Sequence, residues 1–217
     1  MKKVPFFTLL IAILSLGSAF IFVSAAEAAK APTLKLGSAN GDVWDVQYRL
    51  KVLGFYSQPL DGYYGPQTEK AVRRFQAHYG LVADGIVGEK TWRALRTYSV
   101  NLQEMELLAR VVYSEARGEP YKGQVAVAAV VMNRLKSAQF PDSIRGIVFQ
   151  PGAFSAVEDG QFWLTPNSTA YRAAEEAVRG WDPTRGALFY YNPATATNRW
   201  IRSRPILVKI GNHVFTA

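Results

Sequence analysis

The 217-residue chain contains no cysteine and only two histidines, His78 and His213. Without cysteine there can be no disulfide framework, so stability must come from ordinary apolar cores, and no thiol is available as a nucleophile. Two histidines in different halves of the chain leave too few imidazoles for a typical zinc site, which uses three protein ligands and an open position. Acidic residues are also in short supply, 17 Asp and Glu against 25 Lys and Arg, a formal charge of +8 that favours a polyanionic partner such as nucleic acid, anionic cell wall or membrane. Charge is missing altogether from Val4 to Val23. That apolar stretch follows Met1-Lys2-Lys3 and runs into Ser24, Ala25, Ala26, Glu27, Ala28 and Ala29, the layout of a signal peptide with an A-x-A site at Ala26-Glu27-Ala28.

Cleavage after Ala28 would remove Lys2, Lys3 and Glu27 and leave a formal charge of +7. An uncleaved membrane anchor is the alternative, since about twenty apolar residues can span a bilayer; Pro5, Ser15, Gly17 and Ser18 weaken it. Either way the remaining chain is expected outside the cytoplasmic membrane, which argues against a nucleic-acid partner. With 49% apolar residues the length suits two small domains.

Residues 29–35 read as a short linker. The next segment, of about 65 residues, contains a repeat, Asp-Gly-x-x-Gly-x-x-Thr, at Asp61 to Thr68 and again 23 residues later at Asp84 to Thr91. Each copy pairs a turn-forming Asp-Gly with a helix start followed by apolar residues at helical spacing: Ala71, Val72 and Phe75 after the first, Trp92 and Leu95 after the second. An earlier helix carries Val43, Val46, Gln47, Leu50 and Leu53 on one face and is stopped by Gly54. Three short helices joined by two Gly-rich turns predict a compact bundle. Through Gly41-Asp42-Val43, Gln47-x-x-Leu50-x-x-Leu53-Gly54, both turns and Phe75-Gln76, residues 36–98 resemble the peptidoglycan-binding modules of type 1. The resemblance implies a groove for wall glycan or stem peptide, with Tyr63, Tyr64, Gln76 and Trp92 as candidate contacts; for Trp92 a core position is the stronger reading.

From residue 101 the helices lengthen. Asn101 can cap a helix running to about Arg117, with Leu107, Leu108, Val111 and Val112 inward and Gly118 as its stop. Glu115 falls four residues after Val111, so it continues the apolar stripe where a hydrophobe would be expected. An apolar setting raises a carboxyl pKa by costing the charged form its hydration, as a general acid at neutral pH requires. A solvent-facing glutamate paired with Arg117 or Arg110 is the competing reading of the same spacing. A second helix, from Tyr121 or Gly123, presents Val125, Ala128, Ala129, Val131, Met132 and Leu135. Residues 149–163 read as a polar and aromatic loop able to line a sugar cleft. A helix over Ser168 to Arg179 follows, and then strand-like runs at 187–191, 206–210 and 213–215, the last two joined by Gly211-Asn212 as a hairpin turn. Helices first and strands after imply an α+β domain.

Residues 102–217 resemble the catalytic domain of SleB/CwlJ-type spore cortex-lytic enzymes. The likeness is carried by Ala109-Arg110-x-x-Tyr113-Ser114-Glu115-Ala116-Arg117-Gly118-Glu119-Pro120, the run from Gly123 to Arg134, Phe154-Ser155-Ala156, Asp159-Gly160-Gln161, Ala187-Leu188-x-Tyr190-Tyr191-Asn192-Pro193 and Ile210 to Phe215. It implies a lysozyme- or lytic-transglycosylase-like fold in which Glu115 is the acid/base. It also implies cleavage of cortex glycan in germination with 1,6-anhydromuramoyl products, an extracytoplasmic place in the spore envelope, and a YpeB-like membrane partner. Phe154, Ser155, Gln161, Tyr191, Asn192 and His213 are then candidate substrate contacts; no metal or other cofactor and a monomeric protein are expected. Hydrolysis, with Glu119, Glu158 or Asp159 as a second carboxylate, stays open as the alternative, as do an N-acetylmuramoyl amidase, a vegetative-wall substrate and a non-enzymatic wall-binding scaffold.

Overall fold

A computed structural model describes residues 31–217; the leader expected over residues 1–28 lies outside the described residues. The first module is built of α1 (Gly41–Val52), α2 (Pro66–His78) and α3 (Glu89–Tyr98), around a core of Val43, Val46, Leu50, Tyr64, Val72, Phe75, Val87, Trp92 and Leu95. Asn40 caps α1 through its side chain, which accepts from Val43 N, and Pro66 starts α2, where its missing N–H is no loss. The segment read as a linker is partly built into this module: Leu34 pairs with Val87 and is buried, and Pro32 O accepts from the Trp92 indole at 2.8 Å.

The repeat has a structural cause. Gln47 Nε2 donates to Asp61 Oδ1, Tyr63 O and Thr68 Oγ1, while its Oε1 accepts from the amides of Asp61 and Gly62. Gln76 does the same in the second copy, donating to Asp84 Oδ1, Ile86 O and Thr91 Oγ1 and accepting from Gly85 N. Gly62 and Gly85 take φ of 69° and 71°, a conformation that favours glycine. Each glutamine thus knots one Asp-Gly turn from inside. This corrects the expectation that Gln76 and Tyr64 contact the wall: Gln76 is 1% exposed, and Tyr64 is fully buried with its hydroxyl donating to Gly85 O. Trp92 is core. Tyr63 alone of the four stands out at the surface, 52% exposed.

The second module packs α4 (Leu102–Ala116), α5 (Tyr121–Lys136) and α8 (Ser168–Val178) together, with short helices α6 (Ile144–Val148), α7 (Ser155–Glu158) and α9 (Arg199–Arg202) at its margins. Asn101 and Glu104 form a reciprocal capping box at the start of α4. Helix α5 is apolar on nearly every face because it is covered on two sides: Val125, Ala128, Val131 and Met132 join the helical core, while Ala126 and Val130 pack on Ile210 and Phe215 of the sheet. Alanines on α8 (Ala170, Ala173, Ala174, Ala177) permit the close helix approach.

The sheet comprises β1 (Phe189–Tyr191), β2 (Ile206–Ile210) and β3 (His213–Thr216), antiparallel in the order β1-β3-β2. Tyr190 pairs with Phe215 and Ile210 with His213, around the expected Gly211-Asn212 turn. The 187–191 run forms strand only from Phe189. The stretch 149–163 is not wholly loop: it contains α7 and a 3-10 turn at Gln161–Trp163, since local hydrogen bonds close single turns even where Gly and Pro forbid a longer helix. Arg49 ties the modules together: it is buried and donates to Ser99 O and Glu104 Oε2 as well as to Asp45.

Candidate active site

Glu115 projects from the last turn of α4 into an open cleft of about 340 Å3. The cleft gathers Glu115, Phe154, Ser155, Gln161, Tyr191, Asn192 and His213, residues spread over almost a hundred positions of the sequence. Ser114, Arg134, Ala156, Asp159, Tyr190 and Thr195 also line it.

Both oxygens of the Glu115 carboxyl are held. Oε1 accepts from the backbone N–H of Ala156 at 2.9 Å and from Ser155 Oγ at 3.4 Å; Oε2 accepts from the Tyr190 hydroxyl at 3.0 Å. The Ala156 amide is free to do this because it lies in the first turn of α7, where helix N–H groups have no partner within the helix. Tyr190 is brought to the carboxyl by β1, whose approach is fixed from α5: Asn133 Nδ2 donates to Ala187 O at 3.1 Å and Arg134 Nε to Leu188 O at 2.8 Å. Asp182 completes this clamp by accepting from Asn133 Nδ2 and from the amides of Thr184 and Gly186. Burial, reinforced by the Glu115 charge, pushes the Tyr190 phenol well above its ordinary pKa, so it stays a neutral hydroxyl able to donate to a carboxylate or accept from a carboxylic acid.

The Arg134 guanidinium is buried among the rings of Phe140, Phe154 and Phe189, at 5.1, 5.2 and 5.5 Å from their centroids. Burial lowers its pKa, opposed by Tyr190 and Glu115. His213 sits behind Tyr190, ring centroids 5.1 Å apart; burial lowers its pKa below the usual histidine value, against the opposing pull of Glu119 and Glu115. Its Nδ1 has no hydrogen-bond partner among the described residues.

The alternative carboxylates divide cleanly. Glu119 is committed to the hairpin, its Oε2 accepting from Asn212 N at 2.9 Å and its Oε1 from Asn212 Nδ2 at 3.0 Å. A Cβ at Gly211 would lie 1.9 Å from Glu119 Oε2, so this contact requires glycine there. Glu158 is exposed and does not line the cleft. Asp159 does line it; the Gln161 backbone amide and then the Gln161 side chain hold its carboxyl below the usual range, and Arg117 grips Gln161 Oε1 at 2.6 Å. Among the described residues, His, Asp and Glu side chains do not gather in any group of three suited to a metal ion.

Sequence reasoning missed Tyr190, Arg134 and the Ala156 amide as parts of the site. Tyr190 and Arg134 each stand in a quoted motif, but spacing along the chain gave no sign that β1 and α5 would meet at Glu115. The Glu115 surroundings also differ from the expected apolar pocket: polar donors meet the carboxyl on both sides.

One carboxyl held by three donors yet lining an open polar cleft is an arrangement suited to general acid–base chemistry. Two family models match the chain: one described as a putative peptidoglycan binding domain over residues 39–95, and one described as cell wall hydrolase over residues 118–216. A spore cortex-lytic enzyme of Bacillus cereus is 41% identical, over 93% of this chain and 93% of that protein. The solved catalytic domain of the Bacillus cereus SleB protein is 54% identical, with a TM-score of 0.53, over 55% of this chain and 93% of that one. The catalytic domain of the germination-specific lytic transglycosylase SleB from Bacillus anthracis is 53% identical, with a TM-score of 0.52, over 54% of this chain and 97% of that one. The chain belongs to the spore cortex-lytic enzyme family and is a peptidoglycan-degrading enzyme.

Proposed function

We propose that the protein cleaves the muramoyl–glucosaminyl backbone of spore cortex peptidoglycan during germination, as a lytic transglycosylase with Glu115 as its single acid/base. The observation that carries this reading is the Glu115 carboxyl, reached by Ala156 N, Ser155 Oγ and the Tyr190 hydroxyl while open to the cleft. In the first step Glu115, protonated, gives its proton to the glycosidic oxygen as the C1–O bond breaks and C1 gains oxocarbenium character. In the second the carboxylate takes the proton of the muramoyl 6-hydroxyl, whose oxygen bonds to C1 and closes the 1,6-anhydro ring. The acid is thereby regenerated without water.

Tyr190 serves both states of Glu115, since a neutral hydroxyl donates to the carboxylate and can accept from the acid. The Ala156 amide fixes the other oxygen, which orients the carboxyl during both proton transfers. On this reading Phe154, Ser155, Gln161, Tyr191, Asn192 and His213, which line the cleft, contact the sugar, and the exposed Tyr63 touches the wall from the first module.

A hydrolytic reading draws support from Asp159, an ionised carboxylate in the same cleft that could assist attack by water. Export by a leader over residues 1–28, a monomeric protein and a YpeB-like membrane partner complete the proposal. Mass spectrometry of muropeptides released from purified cortex separates the readings: anhydromuramoyl ends are expected, whereas reducing ends would mean hydrolysis and freed stem peptides an amidase.

A further inference from the structure

A second cavity, of about 350 Å3, adjoins the catalytic cleft and shares four of its wall residues, Arg134, Ala153, Tyr190 and Tyr191. Its far wall is α9, and Trp200 there is 54% exposed. Aromatic side chains that line a concavity are the usual walls of ligand sites. This indole is also held in place. Asn198 caps α9 by accepting from Trp200 N at 2.9 Å, Phe189 meets the indole edge-on at 5.2 Å, and the Arg204 guanidinium lies over both rings, 4.3 Å from the Phe189 centroid and 4.7 Å from that of Trp200. A fixed aromatic surface of this kind suits the C–H face of a pyranose, while Gln150 and Asn198 on the same cavity bring amide groups toward hydroxyl and N-acetyl substituents.

We propose that this cavity is a distal glycan subsite, in which Trp200 stacks on a sugar of the strand whose scissile bond lies at Glu115. The shared walls set the two cavities side by side, so that a strand cleaved at Glu115 passes close to Trp200. The inference rests on the glycan-cleaving reading above. It implies that the enzyme engages strands well beyond the scissile bond and prefers long strands to short ones.

The test uses cortex glycan strands freed of stem peptides, long strands beside tetrasaccharides. For the purified protein a lower KM on long strands is expected; Trp200→Ala should raise that KM about tenfold and erase the preference, and Trp200→Tyr should restore most of it. Trp181→Ala, an exposed tryptophan away from both cavities, should behave as wild type. As a check independent of folding, Glu115→Gln protein loaded with peptide-free strands should protect Trp200, but not Trp181, from chemical oxidation. An unchanged long-to-short ratio in Trp200→Ala, or equal oxidation of both tryptophans, overturns the subsite. An effect seen only with strands that carry stem peptides also overturns it, because the occupant is then peptide. Failure of the wild type to create new glycan ends at either length would instead overturn the glycan-cleaving reading.

Discussion

Two polar clusters in this molecule use similar groups to opposite ends. In the first module, Gln47 and Gln76 are buried and their amides are spent on backbone and side-chain partners of the Asp-Gly turns. In the cleft, Glu115 is also hydrogen-bonded, yet its donors leave it facing open space. Saturated polar groups inside a fold specify structure, because leaving them unmet costs more than meeting them gains. Polar groups that are oriented but still accessible are available for chemistry. The repeated motif that dominates the sequence therefore marks architecture, while the unrepeated glutamate is the group to which the proposed function assigns the reaction.

That contrast breaks first at Glu115. Glu115→Gln should lower the rate of cortex glycan cleavage by about 10³-fold or more with the melting temperature nearly unchanged, since proton transfer is lost while the hydrogen-bonding shape is kept. Gln47→Ala should do the reverse. It strips several partners from a buried knot and should cost about 2–4 kcal/mol of stability in thermal or denaturant unfolding, with kcat on soluble glycan retained under folding conditions. Tyr190→Phe sharpens the cleft side: it removes one of the groups holding Glu115 and should lower kcat about tenfold to a hundredfold with KM little changed.

Legibility followed the same division. Elements set by local pattern were readable: the Asn101 cap, the stripe ending in Glu115, the two Asp-Gly turns and the Gly211-Asn212 hairpin. The polar knots were not, because spacing puts Gln47 on an apolar helix face and leaves Gln76 looking available to a ligand, and only the packed turns reveal that both amides are consumed. Tyr190 was hidden for another reason. Its meeting with Glu115 depends on a clamp from Asn133, Arg134 and Asp182 that joins parts of the chain roughly fifty residues apart, which no periodicity reports. Phe154, Ser155, Gln161, Tyr191, Asn192 and His213 do fall together at the cleft, although they were proposed from motif resemblance and not from spacing.

The smallest effects concern the margins of the two clusters. Tyr63→Ala should weaken sedimentation of the protein with insoluble cortex only a few-fold, about 1 kcal/mol for one exposed aromatic contact, without changing stability. His213 predicts a pH dependence. Its folded-state pKa lies below the unfolded value of about 6.5, so the unfolded chain binds the proton first as pH falls, and stability should decline below about pH 6.5 until the folded-state pKa is passed. Melting temperatures between pH 8 and pH 5 should fall less for His213→Gln than for wild type; parallel curves would remove histidine from the account.

The central claim is that one accessible glutamate performs both proton transfers without water as a reactant. Cleaving cortex in water enriched in oxygen-18 tests it directly: anhydromuramoyl ends carrying no heavy oxygen, and absent from the Glu115→Gln reaction, are the predicted result. New ends that carry one heavy oxygen each, or undiminished cleavage by Glu115→Gln, would contradict it.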